Sequence, residues 1–282
     1  MKLNRVVILG SSGFVGRSIA KAFLDCKIKP ILISRKNINL EGKNAISKLK
    51  KIFKNKDTII FVAAVAPVKN IKMLNKNLII AQNIIEALKN ITLNHLIYIS
   101  SDAVYGDTKN KINENFQTVP GSLHGFMHLI RETMLKELNC LKTIIRPTLI
   151  FGNSDPHNGY GPNKFIRIAQ ANNAVTFFGK GEEKRDHIHV DNVANIVVTA
   201  ATSYIGGVIN AVSGSVISFF DIGKKLQKIY PGLKLKTTKR LGPMPHNGYR
   251  AFNHSQLKKK FPKLKIIKLS EWMNKKEIYK KL

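Results

Sequence analysis

Short, continuous apolar runs alternate with longer amphipathic stretches through the first half of the chain. Val6–Leu9, Pro30–Ser34, Thr58–Ala63, His95–Ser100 and Thr143–Arg146 read as strands. Between them, Phe14–Leu24, Asn44–Phe53, Leu74–Lys89 and Leu123–Leu138 read as helices. Strands apolar on both faces need cover on both sides, so this rhythm predicts βαβ units and a parallel sheet, an α/β fold. The rhythm breaks at Gly152. Asn153–Gly161 is a loop by composition, followed by a helix over Asn163–Asn172, a strand at Val175–Phe178 and the turn Gly179-Lys180-Gly181. Another helix is expected over Asn192–Ala201, capped by Asp191. Beyond Ser213 the pattern is that of a smaller α/β lobe ending in a helix from Ser270.

Composition adds limits. A chain of 282 residues with 44% apolar content can bury a full core. No apolar run reaches the roughly 18 residues of a membrane span, and the first apolar stretch begins after five residues, so a cytoplasmic location is expected. Cys26 and Cys140 form no CxxC pair and suit a reducing compartment. The net charge is +30, which attracts nucleic acid, anionic membrane or phosphate-bearing substrates. The excess is carried by 38 Lys against nine Arg, beside many Ile and Asn, a usage that A/T-rich codons explain. No nucleic-acid motif is present, and nucleic acid is not an expected partner. Contact with an anionic membrane surface is the better alternative, though not the favoured one, and would involve the basic segment from Lys224 onward.

Five segments carry candidate chemistry. Gly10-Ser11-Ser12-Gly13-Phe14-Val15-Gly16 joins the first strand to the first helix, where glycines permit a tight turn and close approach of a pyrophosphate to the helix N-terminus. The second strand ends in Ser34-Arg35-Lys36, with no acidic residue for a ribose 2′-hydroxyl, which favours NADP over NAD. Tyr98-Ile99-Ser100-Ser101-Asp102-Ala103-Val104-Tyr105-Gly106 follows the fourth strand, and His124-Gly125-Phe126-Met127-His128-Leu129-Ile130-Arg131-Glu132 opens a helix. A final run spans Gly179 to Asp191 and contains Arg185.

In order and spacing these segments resemble the extended short-chain dehydrogenase/reductases, the NAD-dependent epimerase/dehydratase family that modifies nucleotide sugars. The resemblance covers Lys2 to about Leu257. It implies a Rossmann-type doubly wound parallel sheet over 1–152 with a returning segment at about 186–212, and a substrate-binding lobe from 153–185 and 213–282. By resemblance the cofactor is held by Gly10, Ser12, Gly13, Phe14, Val15, Gly16, Ser34, Arg35 and, at the third strand's tip, Ala63 and Ala64. Asn77 and Asn83 match asparagines of the following helix. Ser101 would orient the reacting oxygen, and Asp102 resembles a dehydratase aspartate whose partner position is occupied by Ala103. Asn163, Arg185 and Arg250 would bind the substrate, a nucleoside diphosphate sugar, with the two arginines on its diphosphate. Helices from the Leu74 and Leu123 segments would form a homodimer. Bacterial-type surface polysaccharide synthesis is the implied pathway.

Two catalytic positions depart from the pattern. Where the family places the catalytic Tyr and Lys, this chain has His124 and His128. Neutral imidazole can donate and accept, so His124 can transfer the proton while His128 contacts the nicotinamide ribose. Two adjacent imidazoles also resist double protonation. Three readings stay open: an NAD(P)-dependent epimerase, dehydratase or reductase with histidine acid/base chemistry, a catalytically silent binding or regulatory protein, and, with least support, a metal site at His124, His128 and Glu132. Tyr160 could supply a phenol from another direction.

Overall fold

The structure is a computed structural model and describes residues 3–153, 155–156, 159–171 and 174–274. In chain order the first half contains β1 (Arg5–Leu9), α1 (Phe14–Asp25), β2 (Ile31–Ile33), α2 (Ala45–Ile52), β3 (Asp57–Phe61), α3 (Ile71–Leu88), β4 (His95–Ile99), α4 (Leu123–Met134) and β5 (Lys142–Pro147). The second half contains β6 (Leu149–Phe151), α5 (Pro162–Gln170), β7 (Val175–Phe178), β8 (Lys184–His189), α6 (Val190–Ser203), β9 (Gly207–Ala211), β10 (Val216–Ser218), α7 (Phe219–Ile229), β11 (Leu235–Thr238), β12 (Tyr249–Arg250), α8 (Ser255–Lys260) and α9 (Leu269–Trp272).

Six strands form one parallel sheet in the order β2-β1-β3-β4-β5-β9. β3 and β4 are buried along their whole length, as strands with a helix layer on each face must be. One layer packs α1 and α6 over Val6, Ile8, Ile60 and Ile97; the other packs α2 and α3 over Val7, Leu9, Ile59 and Leu96. Chain order reverses between β1 and β3, so the crevice at their C-terminal ends is the place where an open α/β sheet binds its ligand.

Several boundaries differ from the sequence expectation. α3 starts at Ile71, a turn earlier than Leu74, because Asn70 Oδ1 accepts from Met73 N at 3.0 Å and caps the helix there. α4 ends at Met134 and tightens into a 3₁₀ turn over Leu135–Glu137. α6 is capped by His189, whose Nδ1 accepts from Asp191 N at 3.2 Å; Asp191 lies inside the first turn and accepts from Ser18 Oγ at 2.8 Å. The ends expected at Asn172 and beyond Asn274 lie outside the described residues.

The second lobe is built on small sheets, β10-β8-β12 with β6 alongside β8, and the ribbon β11-β7. Its core joins Phe151, Phe165, Phe177, Phe219, Leu226 and Trp272. The division expected from sequence is crossed at two places. Asp186 to His189 are part of β8 in the small sheet, and Leu257 and Phe261 return to the large sheet's core against β9. The link between the lobes is therefore two-way, which fixes the cleft between them.

Candidate active site

The glycine-turn end of the cavity is set by backbone proximity. Gly10 leaves β1 at φ +94°, and a Cβ there would fall 2.6 Å from Ala63 N, so only glycine fits. Gly16 brings α1 against the loop: a Cβ on it would meet Gly10 O at 2.2 Å. No side chain caps α1 and its first turn has no acidic residue, which leaves its leading N–H groups available to an anion. Gly10, Ser12, Gly13, Phe14, Val15, Ala63 and Ala64 line a cavity of about 660 Å³. A cradle of this kind fits a dinucleotide's pyrophosphate. Gly16 does not line the cavity and serves packing instead.

Ser34 and Arg35 stand at the cavity's far rim. Asn37 Oδ1 accepts from Ser34 N at 3.0 Å, fixing the turn. The fold also brings in Glu41, a lining residue with no sequence signal because it lies in the loop after β2. Arg35 Nη2 contacts Glu41 Oε1 at 2.7 Å and Lys76 Nζ contacts Oε2 at 3.3 Å. One carboxylate is thus shared by two cations.

Ser101, Asp102, His124 and His128 line the same cavity where β4 and α4 meet. Ser122 caps α4 by accepting from Gly125 N at 3.2 Å, which points the first turn of that helix at the turn carrying Ser101. Gly125 is required here, since a Cβ would lie 2.1 Å from Ala103 O. The imidazoles meet edge to face, with ring centres 4.7 Å apart. Burial pushes the His124 pKa down, with Asp102 opposing and Arg131 reinforcing the shift. His128 is driven well below its ordinary value by burial, then by His124 and Arg131. Both rings are neutral at pH 7.

Their partners restrict their tautomers. Val68 N–H points at His124 Nδ1 from 3.5 Å, the outer limit of hydrogen bonding, and biases the ring towards Nε2–H. His128 Nδ1 pairs with Tyr98 Oη at 2.7 Å. Arg131, a donor only, lies beside that phenol, so the phenol proton turns to Nδ1 and Nε2 carries hydrogen.

Behind the two histidines lies a buried ionic network. Glu132 accepts from Ser100 Oγ at 2.5 Å, Arg146 Nε at 3.0 Å and Arg146 Nη2 at 2.6 Å. Those contacts commit the carboxylate away from the histidines, and among the described residues no group of three His, Cys, Asp or Glu is arranged to hold a metal.

At the opposite end, Asn163, Arg185, His187, Tyr160 and His246 line the cavity. Arg185 Nε lies 3.4 Å from Glu183 Oε1. Arg250 departs from the role the resemblance implied. It does not line the cavity, and its guanidinium is spent on Asp102 Oδ2 (3.0 Å), the Asp102 carbonyl, Gly106 O (3.2 Å) and Tyr105 O (3.2 Å). It holds the Asp102–Gly106 turn in place. Asp102, bonded to Arg250 in return, is a turn residue at the cavity wall. Tyr160 is packed among Phe165, Phe178 and Phe219, its phenol oxygen facing Phe178 N at 3.4 Å, so it offers no replacement for the absent catalytic tyrosine.

The model of the NAD dependent epimerase/dehydratase family matches residues 6–211. The chain belongs to that family. Among its relatives, a dTDP-D-glucose 4,6-dehydratase from Dictyostelium discoideum is 26% identical over 80% of this chain. An N-acetyl-α-D-glucosaminyl-diphospho-ditrans,octacis-undecaprenol 4-epimerase from Escherichia coli O157:H7 is 26% identical over 69% of it. The alignments span 62% of the length of each of these relatives. The fold matches a UDP-N-acetylglucosamine 4-epimerase of Methanobrevibacter ruminantium, with a TM-score of 0.83 and 23% identity over 99% and 98% of the two chains. A Thermus thermophilus UDP-glucose 4-epimerase, solved with NAD, gives 0.83 and 18% over 98% and 99%. The family's mostly parallel Rossmann architecture is present throughout.

Proposed function

We propose that this epimerase/dehydratase family member is an NAD(P)-dependent enzyme acting on a nucleoside diphosphate sugar, with His124 as its acid/base group. The observation that carries the reading is the convergence of Ser101 and His124 on one cavity that continues into the glycine cradle. The bound dinucleotide would supply hydride acceptance and donation. The chain's own part is to hold and move a proton. Ser101 Oγ accepts from Ala103 N at 3.1 Å and donates to Asp102 Oδ1 at 3.5 Å, the outer limit of hydrogen bonding, so a reacting sugar oxygen would take over that hydrogen and use the remaining lone pair. His124, kept neutral by burial, takes the proton at Nε2 once its own hydrogen sits on Nδ1, and the long contact to Val68 makes that tautomer cheap to reach. His128 offers Nε2–H to the nicotinamide ribose as a neutral donor.

NADP is the proposed cofactor. Supporting it are the lack of an acidic residue at the end of β2 and the neutralisation of Glu41 by Arg35 and Lys76, which leaves the rim basic. A homodimer is proposed through α3 and α4, which pack together and expose Ile71, Ile79, Phe126 and Ile130. Surface polysaccharide synthesis is the proposed setting, in line with the undecaprenol-linked relative. No helix among the described residues is long and apolar enough to cross a membrane.

The test is incubation of purified protein with NADP⁺ or NADPH and a panel of nucleotide sugars, following nicotinamide absorbance and, for isomerisation without net redox, product NMR. Turnover that disappears in His124→Ala supports the reading. Cofactor and sugar binding without turnover across the panel would favour the silent binding protein, which the neutral, buried His128 otherwise favours.

A further inference from the structure

Seven buried side-chain nitrogen or oxygen atoms among the described residues have no hydrogen-bond partner. Three of them, Asn163 Oδ1, Arg185 Nη1 and His187 Nε2, belong to side chains lining the cavity; those of Thr58, His95, Asn210 and Arg240 do not. Leaving a buried polar atom unpaired costs about 1–3 kcal/mol. Three such atoms on residues that line one cavity are candidates for bonds completed by a ligand's polar groups. Asn163 and Arg185 already carry expectations from the sequence, and His187 carries none.

The state of His187 follows from its neighbour. Its Nδ1 lies 3.1 Å from the carbonyl oxygen of Arg185. A carbonyl can only accept, so Nδ1 bears the hydrogen and Nε2 presents a bare lone pair. Burial, then the Arg185 charge, pushes the imidazole pKa down to about 3, so Nε2 remains an acceptor at physiological pH. The residue is 2% exposed, with Phe219 edge-on to its ring at 6.1 Å. Asn163 Nδ2 donates to Gly152 O, which leaves Oδ1 as a second acceptor.

Placement says what these atoms would meet. Arg185 and His187 are two apart on β8, hence on one face and about 7 Å apart along the strand. His187 is in register with Leu149, a cavity-lining residue two positions past the end of β5. With a diphosphate on Arg185, His187 would lie about 7 Å further along the strand, the reach of a sugar attached to that diphosphate.

We propose that His187 Nε2 accepts a hydrogen bond from an O–H or N–H group of the sugar and so selects which nucleotide sugar the cavity takes. This rests on the nucleotide-sugar reading above. Binding of UDP, UDP-N-acetylglucosamine, dTDP and dTDP-glucose to NADP-saturated protein is measured by calorimetry for the wild type, His187→Phe and His187→Gln. At least one sugar nucleotide binds more tightly than its parent diphosphate. His187→Phe removes about 10-fold of that advantage, and His187→Gln, which keeps an acceptor oxygen, restores part of it. Diphosphate and NADP binding stay at wild-type levels in both variants, which shows that they fold. In wild-type protein labelled with ¹⁵N-histidine, the His187 Nε2 resonance moves with the sugar nucleotide and not with the diphosphate, a readout independent of how the variants behave. An unchanged sugar advantage in His187→Phe, no sugar advantage in the wild type, or an unmoved resonance overturns the proposal while nucleotide binding stands. Failure of all four ligands to bind overturns it together with the nucleotide-sugar reading.

Discussion

Replacing Glu132 by Gln should cost far more stability than its conservative size suggests. The carboxylate and the Arg146 guanidinium are 8% and 6% exposed and make two contacts, at 3.0 and 2.6 Å, with Ser100 Oγ at 2.5 Å as a third. Gln keeps one carbonyl acceptor but turns an N–H₂ group towards a guanidinium N–H or the Ser100 hydroxyl. The Arg146 charge would be left buried, stacked on the Tyr105 ring at 4.8 Å with no anion beside it. Breaking a buried pair from one side costs about 3–5 kcal/mol, which at a urea m-value of about 3 kcal/mol/M shifts the unfolding midpoint by about 1 M or more. Urea titration followed by circular dichroism measures it. The double variant Glu132→Leu/Arg146→Met, which removes both charges, should lose about 2 kcal/mol or less, because the desolvation penalty goes with the pair. A loss below about 1 kcal/mol in Glu132→Gln would refute the argument, since Arg146 would then have found solvent or another partner.

Acid should destabilise the fold before any carboxylate of ordinary pKa titrates. His95 and His187 are held at about 4 and about 3, below the 6.5 of the unfolded chain, so their contribution is complete above pH 6.5 and is lost as pH falls towards those values. Asp186, raised to about 6 by burial, runs the other way and gains on protonation. Between pH 7 and 5.5 His95 and His187 lose about 2.5 kcal/mol and Asp186 returns about 0.8. The lowered His124, His128, His246 and His254 add to the loss, so the fall is at least about 2 kcal/mol; urea midpoints that rise over this range would contradict it. The oxidative rate should fall as pH drops through the lowered pKa of His124, and a pH–rate profile that keeps its acid limb in His124→Ala would remove that residue from the reaction. Arg35→Ala should weaken NADP binding by about 10-fold or more while sparing NAD, as one cation at a 2′-phosphate is worth; equal losses for both cofactors would reject the preference. Phe126→Glu should yield a monomer by light scattering, and an unchanged mass would place the dimer surface elsewhere.

The fold was legible because each strand of the large sheet is a short apolar run whose reading needs no partner. Val6–Leu9 is buried on both faces, and its period is visible without knowing what covers it. The glycine turn was legible for a related reason: Gly16 is demanded by a clash with Gly10 inside one strand–turn–helix unit, and Gly10 by its positive φ and the close approach of Ala63. What escaped depended on contacts between distant segments. Glu41 reaches the cavity through a loop with no periodic signal, and its two cations lie 6 and 35 residues away in sequence. Arg250 matched a substrate-binding arginine, yet whether its donors face the ligand or the Asp102 turn is decided by packing 148 residues apart. His187 lies in the Gly179–Asp191 run, but its bare lone pair is set by the Arg185 carbonyl and by burial, neither of which has a sequence signature.

The missing lysine leaves an electrostatic gap that the structure answers from behind the cavity. Arg131 is fully buried on α4, three residues beyond His128. Its donors go to Asn77 O, Asn77 Oδ1, Ala63 O and the Tyr98 phenol, and its guanidinium lies 4.9 Å above the Phe61 ring. Each of these partners is neutral, so the positive charge is solvated by dipoles and a π face without being cancelled by an anion. A cation in that position works against protonation of both imidazoles, and it is among the causes that lower each of them. The same field, acting across a site of low dielectric, favours negative charge developing on an oxygen held at Ser101. On the proposed role of His124, the proton-transfer group and the charge that assists it are separate: an imidazole lines the cavity, and a guanidinium on the same helix supplies the potential. Arg131 also ties Ala63 to Asn77, so the residue that sets this potential is the one that fixes the cofactor-side tip of β3. A single side chain thus links the position of the β3 tip to the protonation state of the two histidines.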